Sequence, residues 1–214
     1  MPNSKTIIDY SNASIDCLGV VLAGGLSSRM GQNKAALLRN NTSMLNFSKQ
    51  LLKSCGVNEI VISGSRELQY DNELGLNAEI IPDTIKNAGP VGGIYSILQH
   101  YTPKALLILP VDLPLMTAKS LNKIRMAGEL SQKASYFDDH NIPLYLPNNA
   151  FLALFLAKAF NNYTTDIEPS KKGAPSIKSM LLQIPHQSIK STQTNTLFNS
   201  NTPQQWQQAQ KAFS

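Results

Sequence analysis

An apolar run that stops at a pair of glycines constrains this chain more than any other feature. Residues 18–23 read Leu-Gly-Val-Val-Leu-Ala, the length and composition of a short buried strand, and Gly24-Gly25 end it. Glycines at that point let the backbone turn sharply and bring bare N–H groups against an anion with no Cβ in the way. Arg29 and Lys34 then supply two permanent positive charges. A strand that ends in such a turn is suited to hold phosphates. The commoner phosphate loops are excluded. Lys34 lies between Asn33 and Ala35, so the Gly-Lys-Ser/Thr of a Walker A loop is missing. The glycines at Gly24, Gly25 and Gly31 do not make the dinucleotide spacing. The bland alternative is a glycine-rich turn carrying two solvated cations.

Strand-like and helix-like segments alternate from there on, which predicts an α/β fold: a three-layer αβα sandwich, Rossmann-like, with a mostly parallel sheet. Helical spacing covers residues 44–55, with Gly56 as the stop. Strands are expected at 59–63, 78–81 and 105–109, and a helix at 92–100. The second half predicts helices at 117–127 and 176–182 and short strands at 134–137 and 144–146. Residues 151–160 read as an apolar helix packed on most sides, and Asn201-Thr202-Pro203 opens a polar helix around Trp206. Residues 1–16 are polar and read as a flexible N-terminal extension, leaving 17–214 as a single domain.

The formal charge of +5 favours anionic partners. Nucleotides suit it better than nucleic acid, because only 15% of residues are charged and no dense Lys/Arg run with interleaved aromatics occurs. No apolar run suits a signal peptide or a membrane span, so a cytoplasmic protein without membrane contact is expected. Cys17 and Cys55 have no metal spacing and read as reduced, core-facing thiols.

In an open parallel sheet, ligands sit beyond the carboxyl ends of the strands. Several polar residues fall there. Ser63 and Gly64 follow the second strand, Asp83 the third, and Asp112 the 105–109 run. Asp112 ends an apolar strand, where an unpartnered carboxylate is costly; a hard oxygen ligand facing a triphosphate suits Mg²⁺. Its alternative is an Asx turn stiffened by Pro114. Asp83 precedes Gly89-Pro90-Val91-Gly92-Gly93, which suits a turn approaching a base or ribose, or an ordinary solvated loop. Asn199 and Asn201 are candidates for metal or phosphate, although Thr202 and Pro203 already explain the segment as a helix cap. His100, His140 and His186 lack nucleophile or metal spacing, and no Gly-x-Ser-x-Gly elbow is present. The pattern favours attack by a substrate phosphate, a nucleophile already ionised at neutral pH.

Leu22-Ala23-Gly24-Gly25, Arg29-Met30-Gly31 and Lys34 together resemble the signature of nucleotidyltransferases with a glycosyltransferase-A-like fold, the nucleotide-diphospho-sugar transferase type. Ile81-Pro82-Asp83, the second glycine cluster, Pro110-Val111-Asp112-Leu113-Pro114 and Phe198-Asn199-Ser200-Asn201-Thr202-Pro203 extend the likeness toward the molybdenum cofactor guanylyltransferases. The resemblance implies transfer of GMP from GTP to the phosphate of molybdopterin, with Mg²⁺ and release of pyrophosphate. It implies nucleotide contacts at Leu22, Ala23, Gly24, Gly25, Lys34 and Asp83, and magnesium on Asp112. A nucleotide-binding asparagine of the family falls on the shorter Ser63, and Arg29 joins Lys34 and Asp112 as catalytic. Residues 138–145 and Lys171-Lys172-Gly173 fall where the family receives the pterin. Partners implied are molybdenum cofactor biosynthesis proteins and target apoenzymes. Cytidylyl or sugar-phosphate transfer on the same fold, and a non-catalytic cofactor-delivery protein, are the rival readings.

Overall fold

The computed structural model describes residues 15–24, 33–65, 78–85, 87–161, 174–191 and 194–213. Gly25, Arg29, Met30 and Gly31 of the glycine loop, Lys171-Lys172-Gly173 and residues 1–14 of the expected extension lie outside them.

The first strand, β1 (Cys17–Leu22), leads through a 3-10 turn at Lys34–Ala36 into a small hairpin, β2 (Leu38–Arg39) and β3 (Thr42–Ser43). There follow α1 (Met44–Ser54), β4 (Glu59–Ser63), β5 (Glu79–Ile81), α2 (Gly89–Leu98) and β6 (Ala105–Pro110). The second half runs α3 (Ala118–Ser131), β7 (Ala134–Phe137), β8 (His140–Pro147), α4 (Ala150–Phe160), α5 (Ile177–Leu181), β9 (His186–Ile189) and α6 (Pro203–Phe213).

Seven strands form one sheet in the order β5-β4-β1-β6-β8-β7-β9. β5, β4, β1 and β6 are mutually parallel. β8 runs antiparallel to both its neighbours, and β9 is parallel to β7. The sheet is therefore mostly parallel, as expected. β1 alternates between two cores. Leu18, Val20 and Leu22 pack with Leu106 and Ile108 under α2 and α4, while Val21 packs with Leu107 and Leu109 under α1 and α3. Gly19 faces α1, where a Cβ would come within 3.2 Å of Leu52, Val57 and Ile60. Helices on both faces make the αβα sandwich. Among the described residues, no helix is long and apolar enough to cross a membrane.

Local chemistry sets the helix ends. The Ser43 hydroxyl accepts from Asn46 N at 3.2 Å to cap α1. Gly56, at φ +74°, stops it in the left-handed conformation that favours glycine. Thr117 caps α3, which continues to Ser131 rather than ending at 127. Two expectations are corrected. The cluster Gly89-Pro90-Val91-Gly92-Gly93 is the first turns of α2, not an open turn. At Gly93 an added Cβ would run into the Ser63 hydroxyl, so the glycine serves close helix–strand packing. α4 buries only one stripe, Leu152, Phe155, Leu156 and Phe160, and leaves Phe151 and Leu154 exposed. Spacing of three and four residues selects that single face.

Candidate active site

Because β1 has β4 on one side and β6 on the other, the strand order reverses between β1 and β6. A crevice opens at the carboxyl ends of such a pair, the usual ligand position in open α/β sheets. The chain leaving β1 is held there by Ala23 N, which donates to Ser63 O at 2.9 Å. Val111 N donates to Leu22 O at 3.2 Å, which fixes the start of the Asp112 loop beside β1.

Lys34 and Asp112 meet in this crevice. Asn33 caps the 3-10 turn by accepting from Ala35 N at 3.0 Å, which sets Lys34 at the turn's first position. The Lys34 ammonium lies 3.5 Å from Asp112 Oδ2, with each side chain only 18% exposed. It also donates a short hydrogen bond to Asn201 Oδ1. The other carboxylate oxygen, Asp112 Oδ1, is buried and has no hydrogen-bond partner among the described residues. An Asx turn requires that carboxylate to accept a nearby backbone N–H, and among the described residues none donates to it. An orphaned, anionic oxygen beside a lysine is a ready ligand for a hard cation. Among the described residues no three His, Cys, Asp or Glu side chains converge on one point. Of the described residues, Asp112 is the one that offers such an ion a buried, unpartnered carboxylate oxygen.

Asn201 reaches Lys34 because its loop is anchored at both ends. Ser200 N donates to Asp112 O at 2.9 Å. The Gln205 side chain accepts from Asn201 N at 2.8 Å and Thr202 N at 3.0 Å, while Thr202 Oγ1 accepts from Gln205 N at 3.2 Å. That reciprocal cap, with Pro203 first in the helix, starts α6. Asn199 is exposed and stands apart from these contacts. Arg39 braces the region from below: its Nε donates to Pro114 O at 2.8 Å, and its guanidinium lies over Phe47 and Phe213.

Asp83 and Ser63 form a second pair. Asp83 is exposed as a residue, yet its carboxyl backs onto Ser63 and Gly93. Burial of that carboxyl pushes its pKa up, and the hydrogen bond donated by the Ser63 hydroxyl opposes the shift. Ser63 itself is buried. Leu22 is buried in the core and can offer a ligand only its backbone, whereas Ala23 is half-buried and Gly24 exposed.

Comparison with known proteins finds relatives over most of the chain. The MobA-like NTP transferase domain model matches residues 19–160. A molybdenum cofactor guanylyltransferase from Xanthomonas euvesicatoria is 30% identical over 191 residues, covering 88% of this chain and 91% of the relative. Another from Rhizobium meliloti is 30% identical over 203 residues, covering 89% of each. The crystal structure of molybdopterin-guanine dinucleotide biosynthesis protein A from Archaeoglobus fulgidus superposes with a TM-score of 0.68 at 20% identity, covering 91% of this chain and 97% of that one.

Proposed function

Since the chain belongs to the MobA-like NTP transferase family, we propose that it transfers GMP from GTP to the phosphate of molybdopterin and releases pyrophosphate. The chain is a nucleotidyltransferase, and the full-length relatives named for guanylyl transfer support this choice of nucleotide and acceptor. The observation that carries the reading is the buried, unpartnered Asp112 oxygen beside Lys34 at the β1/β6 crevice.

In this reading a pterin phosphate oxygen attacks the α-phosphorus of GTP. The new oxygen–phosphorus bond forms as the bond to the β-phosphate's bridging oxygen breaks, and pyrophosphate leaves. No protein base is needed, because the attacking phosphate is already ionised. The backbone at Leu22, Ala23 and Gly24 cradles the nucleotide, and Gly25 and Arg29, which follow in sequence, are assigned to the same phosphates. Lys34 holds the triphosphate and stabilises charge on the leaving group. Asp83 accepts from the guanosine, and Ser63 orients Asp83 rather than touching the nucleotide itself. Asp112 is the side chain that would hold Mg²⁺, which would supply neutralisation of the phosphate charge. Two free cysteines fit a reducing cytoplasm as the place of action, with the product passing on to cofactor proteins or an apoenzyme.

The test is pyrophosphate release from GTP, CTP, UTP and ATP, each with molybdopterin and Mg²⁺. Release with GTP alone is the expected result. Equal release with CTP overturns the choice of base, and none with any nucleotide overturns the catalytic reading.

A further inference from the structure

A second concave region, of about 380 Å³, lies where the β2–β3 hairpin folds against α1. Asn41, Asn46, Gln50, Lys49 and Lys53 line it, with Leu38 at its apolar edge, and among the described residues no carboxylate contributes to its wall. Asn40 and Asn41, at φ 47° and 62°, form the tight hairpin turn that carries Asn41 to this wall.

Lys49 is the informative residue. It is only 8% exposed, yet among the described residues it makes neither a hydrogen bond nor an ion pair. Burial lowers its pKa, and the charge of Lys53 lowers it further. The packed stem leaves the ammonium facing the groove with only part of its hydration and no acceptor, which is unfavourable. Lys53 sits four residues on along the same helix face, and like charges at that spacing repel. Two unfavourable features of one sign meet in one groove, and a single anion would relieve both.

We propose that this groove binds a soluble phosphorylated small molecule, its phosphate held between Lys49 and Lys53 with the amides of Asn41, Asn46 and Gln50 around it. A phosphate monoester carries about −1.5 to −2 charges near neutral pH, which matches two ammonium groups better than one carboxylate does. The volume falls in the range of small-ligand pockets. The groove shares neither Lys34 nor Asp112 with the β1/β6 crevice.

The test titrates inorganic phosphate, and separately glycerol 3-phosphate, into the ¹⁵N-labelled full chain in phosphate-free buffer. Amide shifts of residues 41–53 should saturate equally in wild type and in Lys34→Ala. Lys49→Met, which keeps the alkyl stem, should bind about tenfold more weakly. It should also melt at or above the wild-type temperature without phosphate, because an unpaired ammonium has gone. Lys53→Gln alters an exposed residue and should weaken binding severalfold without any question of folding. Shifts confined to the surroundings of Gly24, Lys34 and Asp112 overturn the proposal, as does unchanged affinity in Lys53→Gln and Lys49→Met.

Discussion

Replacing Asp112 with Asn preserves size and hydrogen-bonding atoms while removing one negative charge, so it separates a metal ligand from a structural side chain. At 3.5 Å the attraction to Lys34 is roughly 5 kcal/mol at an effective dielectric near 20, before the penalty of desolvating both groups. With both side chains partly buried, the net loss falls between surface and interior values, about 1–2 kcal/mol. For a domain of this size that lowers the melting temperature by roughly 2–8 °C, so the variant stays folded at assay temperature. The chemical effect is larger. Loss of metal-assisted charge neutralisation removes several kcal/mol from transition-state stabilisation, on the order of a thousandfold in rate. The assay is single-turnover pyrophosphate release from GTP and molybdopterin over a Mg²⁺ titration, with a melting curve on the same sample. GTP affinity should fall far less than the rate, because Lys34 and the β1 turn remain. A folded Asp112→Asn protein within about threefold of wild type at ordinary Mg²⁺ would refute the metal role and leave the carboxylate a structural part.

Lys34→Ala should keep the fold, since it leaves no cavity in either core, and should weaken GTP binding at least tenfold by calorimetry; wild-type affinity counts against the phosphate role. Gly93→Ala forces a methyl group against the Ser63 hydroxyl, so it should lower the melting temperature and the apparent GTP affinity together, with Ser63→Ala in the same chain restoring part of both. Cys17 is pushed up to about 11, first by burial, so alkylation of the native protein at pH 8 should run far slower than in denaturant. A raised thiol pKa lends stability that is complete below the unfolded thiol value and lost as pH climbs toward about 11. Melting temperature should therefore fall over that window, and less steeply in Cys17→Ala.

The parallel half of the sheet was legible because its strands are continuous apolar runs whose ends carry glycine or aspartate. The place of Asp112 at the carboxyl end of β6 was legible for the same reason, as an acid that follows Leu-Leu-Ile-Leu-Pro-Val. The β2–β3 hairpin was not, since two strands of two residues each carry no periodicity. Only the adjacent Asn40-Asn41, both with positive φ, hinted at its turn. The glycines of α2 were misread because composition cannot tell an open turn from a helix pressed against Ser63. Residues 151–160 looked uniformly apolar, and only the sheet's position shows that Leu154 faces away from it. The cap at Thr202-Pro203 was visible, whereas Asn201 accepting from Lys34, across 167 residues of sequence, depended on the folded chain. A lysine buried beside a groove has no sequence signature at all.

The geometry of Lys34 and Asp112 suits groups that answer to different partners in the proposed reaction. In the proposed reaction Lys34 would hold phosphate oxygens and Asp112 a cation, so a tight mutual pair would oppose both duties. Their separation is 3.5 Å, whereas the surface pair Lys104–Asp16 closes to 2.6 Å. The looser contact arises because each is held by its own backbone: Lys34 by the Asn33-capped turn, and Asp112 by hydrogen bonds from Val111 N to Leu22 O and from Ser200 N to Asp112 O. Asn201, a neutral acceptor, keeps the ammonium in the crevice without claiming its charge. Such an arrangement places both charges before the substrate arrives and leaves little reorganisation for the chemical step, which is where preorganised electrostatics contributes most. The segment that supplies Asn201 lies beyond the 19–160 span of the family match, so part of the site's positioning comes from the C-terminal end of the chain.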